Sequence, residues 1–276
     1  MARPAARTAL ERLERYYDAA PRAAARTEEV GPFTLFVSTG DFPLYARPRL
    51  GLATSIEANA VAPVLARQRE LAVPEALEWM VETTPSLSDA ARMTGMQVSE
   101  LPLLIMERPL AVPIPAGVRV RRVPADEPDL ERILAVAAVA FAHAGTARGA
   151  AGPGERDAHA TTGATDRSRL RGRLAAGLTV MVVAEDRDGP IASGAHRPVD
   201  GVTEVVGVAT LPSARRRGVG AAVAGALVHE ALTSGHDLVF LSAAGDDVAR
   251  IYERLGFRAA ARAGIAEVGD AEVGGA

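Results

Sequence analysis

Two stretches of this chain have residue types and spacing suited to chemistry. The first runs Val-Gly-Val-Ala-Thr-Leu-Pro-Ser-Ala-Arg-Arg-Arg-Gly-Val-Gly-Ala from Val206 to Ala221. An apolar segment stops at Pro212, three arginines and two glycines follow, and an alanine-rich run begins. That order predicts a strand, a turn and the start of a helix. Glycine lets the backbone come close to a phosphate, and the first N–H groups of a helix, which lack partners within it, point at an approaching anion. The helix dipole adds about 0.3–1 kcal/mol for an anion placed there. Arg215, Arg216 and Arg217 supply charge that a pyrophosphate can use. A dinucleotide fingerprint would need a third glycine where Val223 stands and an early strand-helix-strand unit, so that reading fails. An ordinary glycine turn with a solvated arginine face fits the stretch taken alone. The second stretch is Leu238 to Ser242, then Asp246-Asp-Val-Ala-Arg-Ile-Tyr-Glu-Arg-Leu-Gly-Phe ending at Phe257. It reads as a strand, a helix stopped by Gly256 and a new apolar segment.

Upstream, Val118 to Val123 predicts a strand and Asp129 to Phe141 a helix, and a polar, Gly-rich loop runs from Ala144 to Thr165. A loop of that length usually has a task, here an acceptor lid or a partner contact. Arg167 to Ala175 predicts a second helix. Leu178 to Glu185, Ile191 to Pro198 and Glu204 to Leu211 predict an antiparallel meander turned by Asp186 to Gly189 and by Asp200-Gly201. The helix Gly220 to Ser234 is closed by Gly235. Pro109, Pro113 and Pro115 mark an exposed link, so residues 1–110 and 118–276 are expected as domains joined by 111–117. Within the first, an amphipathic helix over residues 2–26 carries Leu10, Leu13 and Tyr17, and Phe33–Val37 with Phe42–Tyr45 reads as a hairpin. A helix over 55–70, a strand Ala76 to Glu82, a helix Ser86 to Thr94 and a strand Val98 to Met106 complete it.

Composition removes whole classes of chemistry. There is no cysteine, and all 31 basic residues counted as Lys or Arg are arginine. Thiolate nucleophiles, disulfides and cysteine-ligated metals are excluded, as are a Walker A phosphate loop and a Schiff-base lysine. The net charge of −3, with both signs mixed, does not suit a nucleic-acid binder. The five histidines show no metal spacing, so no metal is expected. No apolar run is long enough to span a bilayer and no secretory core opens the chain, which predicts a cytoplasmic protein that keeps off the membrane.

Taken together, the two stretches resemble the GNAT superfamily of N-acyltransferases over residues 116–276. Its Arg-x-x-Gly-x-Gly pattern falls on Arg215, Gly218 and Gly220, and its helix-ending Tyr-Glu-Arg-Leu-Gly-Phe pattern on Tyr252 to Phe257. The resemblance implies an α+β fold with a mixed, mostly antiparallel sheet flanked by helices, splayed between the strand ending at Leu211 and the strand near residue 240. It implies acetyl-CoA as acyl donor, with its pantetheine arm bonded by the backbone of Val208, Ala209 and Thr210. Its pyrophosphate is then held by Arg215, Arg216, Arg217, Gly218, Val219, Gly220 and Ala221. Asp246 stands where the family often has Asn and is assigned to the coenzyme on position alone. Tyr252 stands where the family places the acid for the leaving thiolate, and Glu204 where it places the base, with His196 the backup. The expected activity is acetylation of a small-molecule primary amine. A protein or peptide acetyltransferase and a non-catalytic acyl-CoA sensor are the alternatives.

The first half offers a faint echo of the second. Setting Gly95 on Gly256 also sets Leu77 on Leu238, Met80 on Leu241 and Ala91 on Tyr252, with no Arg-x-x-Gly-x-Gly before it. A smaller, degenerate GNAT-like copy is therefore expected there, without chemistry, shaping the acceptor pocket or an interface, a homodimer included.

Overall fold

The computed structural model describes residues 4–40, 43–143, 145–162 and 167–268. The chain divides into two compact units. The first comprises the described residues up to Leu103, residues 242–246 and those from Ala260 onward; the second comprises Leu104–Leu241 and Asp247–Ala259. The division therefore falls elsewhere than at the proline link, because the last strand joins the first unit by pairing with one of its strands.

In the first unit, α1 (Pro4–Arg22) precedes β1 (Ala25–Val30), β2 (Phe33–Ser38) and β3 (Ala46–Pro48). Then come α2 (Ala58–Glu70), β4 (Ala76–Met80), α3 (Ser86–Met93) and β5 (Gln97–Met106), which continues into the second unit. Its other strand is the larger part of β11 (Phe257–Glu267), and the order is β1-β2-β3-β4-β11-β5. The hairpin differs from expectation. β2 pairs with β1 across the Gly31 turn and with β3 on its other edge, Leu35 opposite Ala46. Asp41 and Phe42 of the predicted hairpin lie outside the described residues. Phe33, Leu35, Leu77, Trp79, Val61 and Leu87 form the core. β11 lies antiparallel to β4 with Gly264 opposite Trp79, and a Cβ there would collide with the indole ring. The expected repeat shows in the element bounds. β4, α3 and β5 recur 161 residues later, each bound within one residue, as β10 (Leu238–Ser242), α8 (Asp246–Glu253) and β11. Gly95 and Gly256, with φ of +84° and +99°, end the two helices.

An ionic cluster around the buried Arg47 sits beside that core. The Arg47 guanidinium, nearly excluded from solvent, lies 4.4 Å from the Tyr17 ring centroid and 3.5 Å from Glu14. Burial pushes Glu78 up to about 7, against the pull of Arg47 and the Tyr45 hydroxyl. An unfolded glutamate ionises near 4.5, so between 4.5 and 7 the unfolded chain releases this proton first, and stability falls as pH rises through that window. Glu78→Gln should flatten this slope. Its Tm relative to wild type should rise by about 4 °C between roughly pH 5 and pH 8; a constant difference in a thermal melt series would contradict the assignment.

The second unit holds β6 (Arg119–Arg122), α4 (Leu130–Phe141), α5 (Pro153–Thr162), α6 (Ser168–Ala175), β7 (Val180–Asp186), β8 (Gly189–Val199) and β9 (Val202–Thr210). A single 3₁₀ turn (Pro212–Ala214) leads to α7 (Val219–Thr233), then to β10 and α8. β7 to β9 form the expected antiparallel meander, with Asp200 and Gly201 both left-handed in its last turn, and β6 pairs antiparallel with β7 on its outer edge. Alternate residues of β8 face opposite ways. Ser193 donates to the Ile133 carbonyl of α4, while a Cβ at Gly194 would stand 3.0 Å from Leu227 of α7, so the two helices cover opposite faces of the sheet. The loop expected over 144–165 contains α5. Arg156, fully buried, fixes that helix by donating to the carbonyls of Pro190 and Asp188 and to Asp157. Among the described residues no helix is long and apolar enough to cross a membrane.

Candidate active site

β9 is the strand on which the site is built. Gly207, with φ of +61°, opens a bulge: Gly207 and Val208 together face Gly194, between the pairs Ala195–Val206 and Ser193–Ala209. A bulge of this kind bends its strand and re-aims the residues beyond it. On the other edge, β10 runs parallel to β9 over only three pairs, ending with Phe240 opposite Glu204. From Val205 to Thr210 that edge has no strand beside it among the described residues. The two strands part as expected, and Val208, Ala209 and Thr210 lie on the open edge. The bulge is not among the sequence-based expectations; its signal is a glycine inside a strand rich in valine.

Beyond Leu211 the chain turns into α7. Arg216 is left-handed at φ +62°, which costs a non-glycine residue about 1–2 kcal/mol. Gly218 is the helix N-cap at φ +78°, with no side chain capping the helix. The first intrahelical bond is Ala222 N–H to Gly218 O, 3.0 Å, so the N–H groups of Val219, Gly220 and Ala221 have no partner inside the helix. Gly220 lies close to the end of β9, where a Cβ would stand 2.9 Å from Thr210 Oγ1. Uncapped amides, left-handed residues at Arg216 and Gly218 on either side of Arg217, and an absent Cβ form a concave nest for an anion. These residues fit a pyrophosphate.

The three arginines are placed less uniformly. Arg217 lies 3.6 Å from Asp186 and is 41% exposed, which leaves it open to a phosphate. Arg216 donates to the Thr146 carbonyl, 3.2 Å. Arg215, assigned to the pyrophosphate by its motif position, turns away to backbone carbonyls. It donates to Ala140 (2.9 Å), His143 (2.8 Å), Ala147 (3.2 Å) and Thr210 (3.3 Å). The motif locates this residue, but its partners are distant in sequence, so nothing local announces them.

Tyr252 lies on α8, edge-on to Phe257 with ring centroids 5.7 Å apart. Burial alone pushes its phenol up to about 12, and its hydroxyl bonds to no protein group among the described residues. Glu204 is half-buried where β9 and β10 part, opposite Arg197 on β8. His196 does not suit the backup role. It is fully buried, burial keeps it neutral against the pull of Glu230, and both ring nitrogens are engaged. Nε2 pairs with the Glu230 carboxylate and Nδ1 with the Thr203 hydroxyl at 2.8 Å. A neutral ring donating to the carboxylate and accepting from the hydroxyl has no lone pair left for a substrate proton. Asp246 opens α8, exposed, in the first compact unit. Among the described residues no group of three or more His, Asp or Glu is arranged to hold a metal ion.

Residues 177–259 match the family model described as an acetyltransferase (GNAT) domain. Among solved structures, a GCN5-related N-acetyltransferase from Kribbella flavida is 25% identical with a TM-score of 0.71, over 94% of this chain and 95% of that one. One from Sphaerobacter thermophilus is 16% identical, TM-score 0.54, over 82% and 73%. A tandem GNAT protein from the clavulanic acid biosynthesis pathway is 15% identical, TM-score 0.55, over 87% and 80%. None of the curated proteins compared with the sequence matches it. The bulged strand, the parting of its neighbour and the uncapped helix thus lie within an acyltransferase fold. Residues 177–259 match an acetyltransferase (GNAT) domain, and the chain shares the α+β architecture of GCN5-related N-acetyltransferases, a tandem GNAT protein among them.

Proposed function

We propose that this protein transfers an acetyl group from acetyl-CoA to the primary amine of a small molecule. The observation that carries the reading is the uncapped, left-handed start of α7 at the end of β9's open edge. When bound, the thioester supplies an activated carbonyl and a thiolate leaving group: the amine nitrogen bonds to the carbonyl carbon as the carbon–sulfur bond breaks. Val208 to Thr210 hold the arm by their backbone, and Arg216 to Ala221 hold the pyrophosphate with their amides and the charge of Arg217. Glu204 takes the amine proton, directly or through water. Tyr252, protonated throughout the neutral range, returns a proton to the thiolate. Asp246 keeps its coenzyme assignment on motif position alone. The reading calls for no metal, nucleic acid or membrane, and for a cytoplasmic address where acetyl-CoA is supplied.

A screen of small amines with acetyl-CoA, following free thiol, tests it. Thiol release that depends on a small amine and yields its acetamide is the expected result. Acetylation confined to peptides or proteins would move the assignment to a protein acetyltransferase, and coenzyme binding without turnover on any amine would make the protein a sensor.

A further inference from the structure

The turn before α7 and the segment after α4 are bound together more closely than a lid and its frame would be. Gly149 N–H donates to the Pro212 carbonyl at 3.0 Å, and Ser213 N–H donates to the Ala151 carbonyl at 2.9 Å. Arg215 reaches the carbonyls of Ala140, His143 and Ala147, and Arg216 that of Thr146. The fit is tight in both directions. A Cβ at Gly149 would stand 3.0 Å from Pro212, and one at Gly152 would stand 2.7 Å from Ser213 Oγ. Ala151 and Gly152 are buried. α4 has no basic residue in its last turn, and the Arg215 guanidinium supplies from a distant part of the chain the positive charge that a helix C-terminus favours.

We infer that Arg215 is a positioning residue for the coenzyme site, acting through segment 145–152 rather than touching a phosphate. Three features meet at the same turn. Arg216 is held in a left-handed conformation that an arginine does not adopt for its own sake. Gly218 must follow at positive φ for the helix amides to converge. Segment 145–152 is the surface against which residues 212–216 are set, and the planar fork of Arg215 is what spans from β9 to α4 to fasten it. The segment is thus the rear wall of the coenzyme cradle, and a change there alters coenzyme affinity without touching coenzyme.

This rests on reading the start of α7 as the pyrophosphate site, and the test separates the two. Coenzyme A is titrated calorimetrically into wild type, Arg215→Lys, Arg215→Ala and Gly152→Val at low and high salt, with hydrogen exchange of 145–152 followed in each. Gly152→Val changes no charge, and it pushes the segment off Ser213. Both Arg215→Lys and Gly152→Val should speed exchange in the segment and weaken coenzyme A binding about tenfold, with wild-type salt dependence. Lysine keeps the charge but cannot reach several carbonyls at once, so it should fare no better than alanine. A direct phosphate ligand behaves otherwise: Arg215→Lys keeps its affinity while Arg215→Ala loses affinity with a shallower salt dependence. That pattern, or wild-type affinity in Gly152→Val despite a loosened segment, overturns the inference. A wild-type chain that takes up no coenzyme A removes the site itself, and the inference with it.

Discussion

Tyr252→Phe should fold as wild type does, bind acetyl-CoA with unchanged affinity and turn over about 10²- to 10⁴-fold more slowly. The ring that meets Phe257 edge-on at 5.7 Å stays, and only a hydroxyl with no protein partner among the described residues is lost. A hydroxyl that bonds to no protein group contributes no hydrogen bond to stability. Keeping it is intelligible if the partner arrives with substrate. Its raised pKa keeps it protonated through the neutral range, so it is available as a donor to a departing thiolate, and no deprotonation of Tyr252 should appear in the rate profile there. Loss confined to kcat marks an interaction made in the transition state, and a rise in KM alone would mean that Tyr252 only helps to bind. Unchanged kcat in steady-state kinetics would remove it as the acid.

Gly220→Val should abolish coenzyme binding, by at least about 10²-fold in Kd. A side chain there meets Thr210 Oγ1 at 2.9 Å from its Cβ alone, so the start of α7 must lift from the end of β9, and its added methyls stand among the amides meant for phosphate. Gly172→Ala on α6, where a Cβ has open space, is the control and should bind as wild type does. Coenzyme affinity in Gly220→Val within a few-fold of the control, measured by calorimetry, would place the pyrophosphate elsewhere.

What could be read from the residues divides along a physical line. β10 and α7 were legible because their signals are local: an apolar run for the first, glycine at both ends for the second. The parting of β9 from β10 came from the family resemblance, and the geometry carries it to Glu204 and Phe240. α5 was hidden because its sequence, Pro-Gly-Glu-Arg-Asp-Ala-His-Ala-Thr-Thr, has no apolar stripe; it is fixed by a buried arginine reaching for carbonyls more than thirty residues on. β1 was missed for the matching reason, since Ala-Arg-Thr-Glu-Glu-Val is polar and forms the outermost strand of its unit. The last strand belongs to the first compact unit because β11 pairs with β4, a long-range choice that no turn signal records. Arg215 and His196 teach the same lesson at the site. Each was given a role by type and position, and each is committed to partners that only the folded chain brings near.

The claim on which the rest depends is that one coenzyme site exists per chain, at the start of α7, while the repeat in the first unit has none because Ala91 stands where Tyr252 would and no glycine cradle precedes it. Calorimetric titration of the full chain with acetyl-CoA tests this most directly. A single class of sites with a stoichiometry of about one per chain, abolished in Gly220→Val, is the expected result. Two equivalent sites per chain, or none, would contradict it.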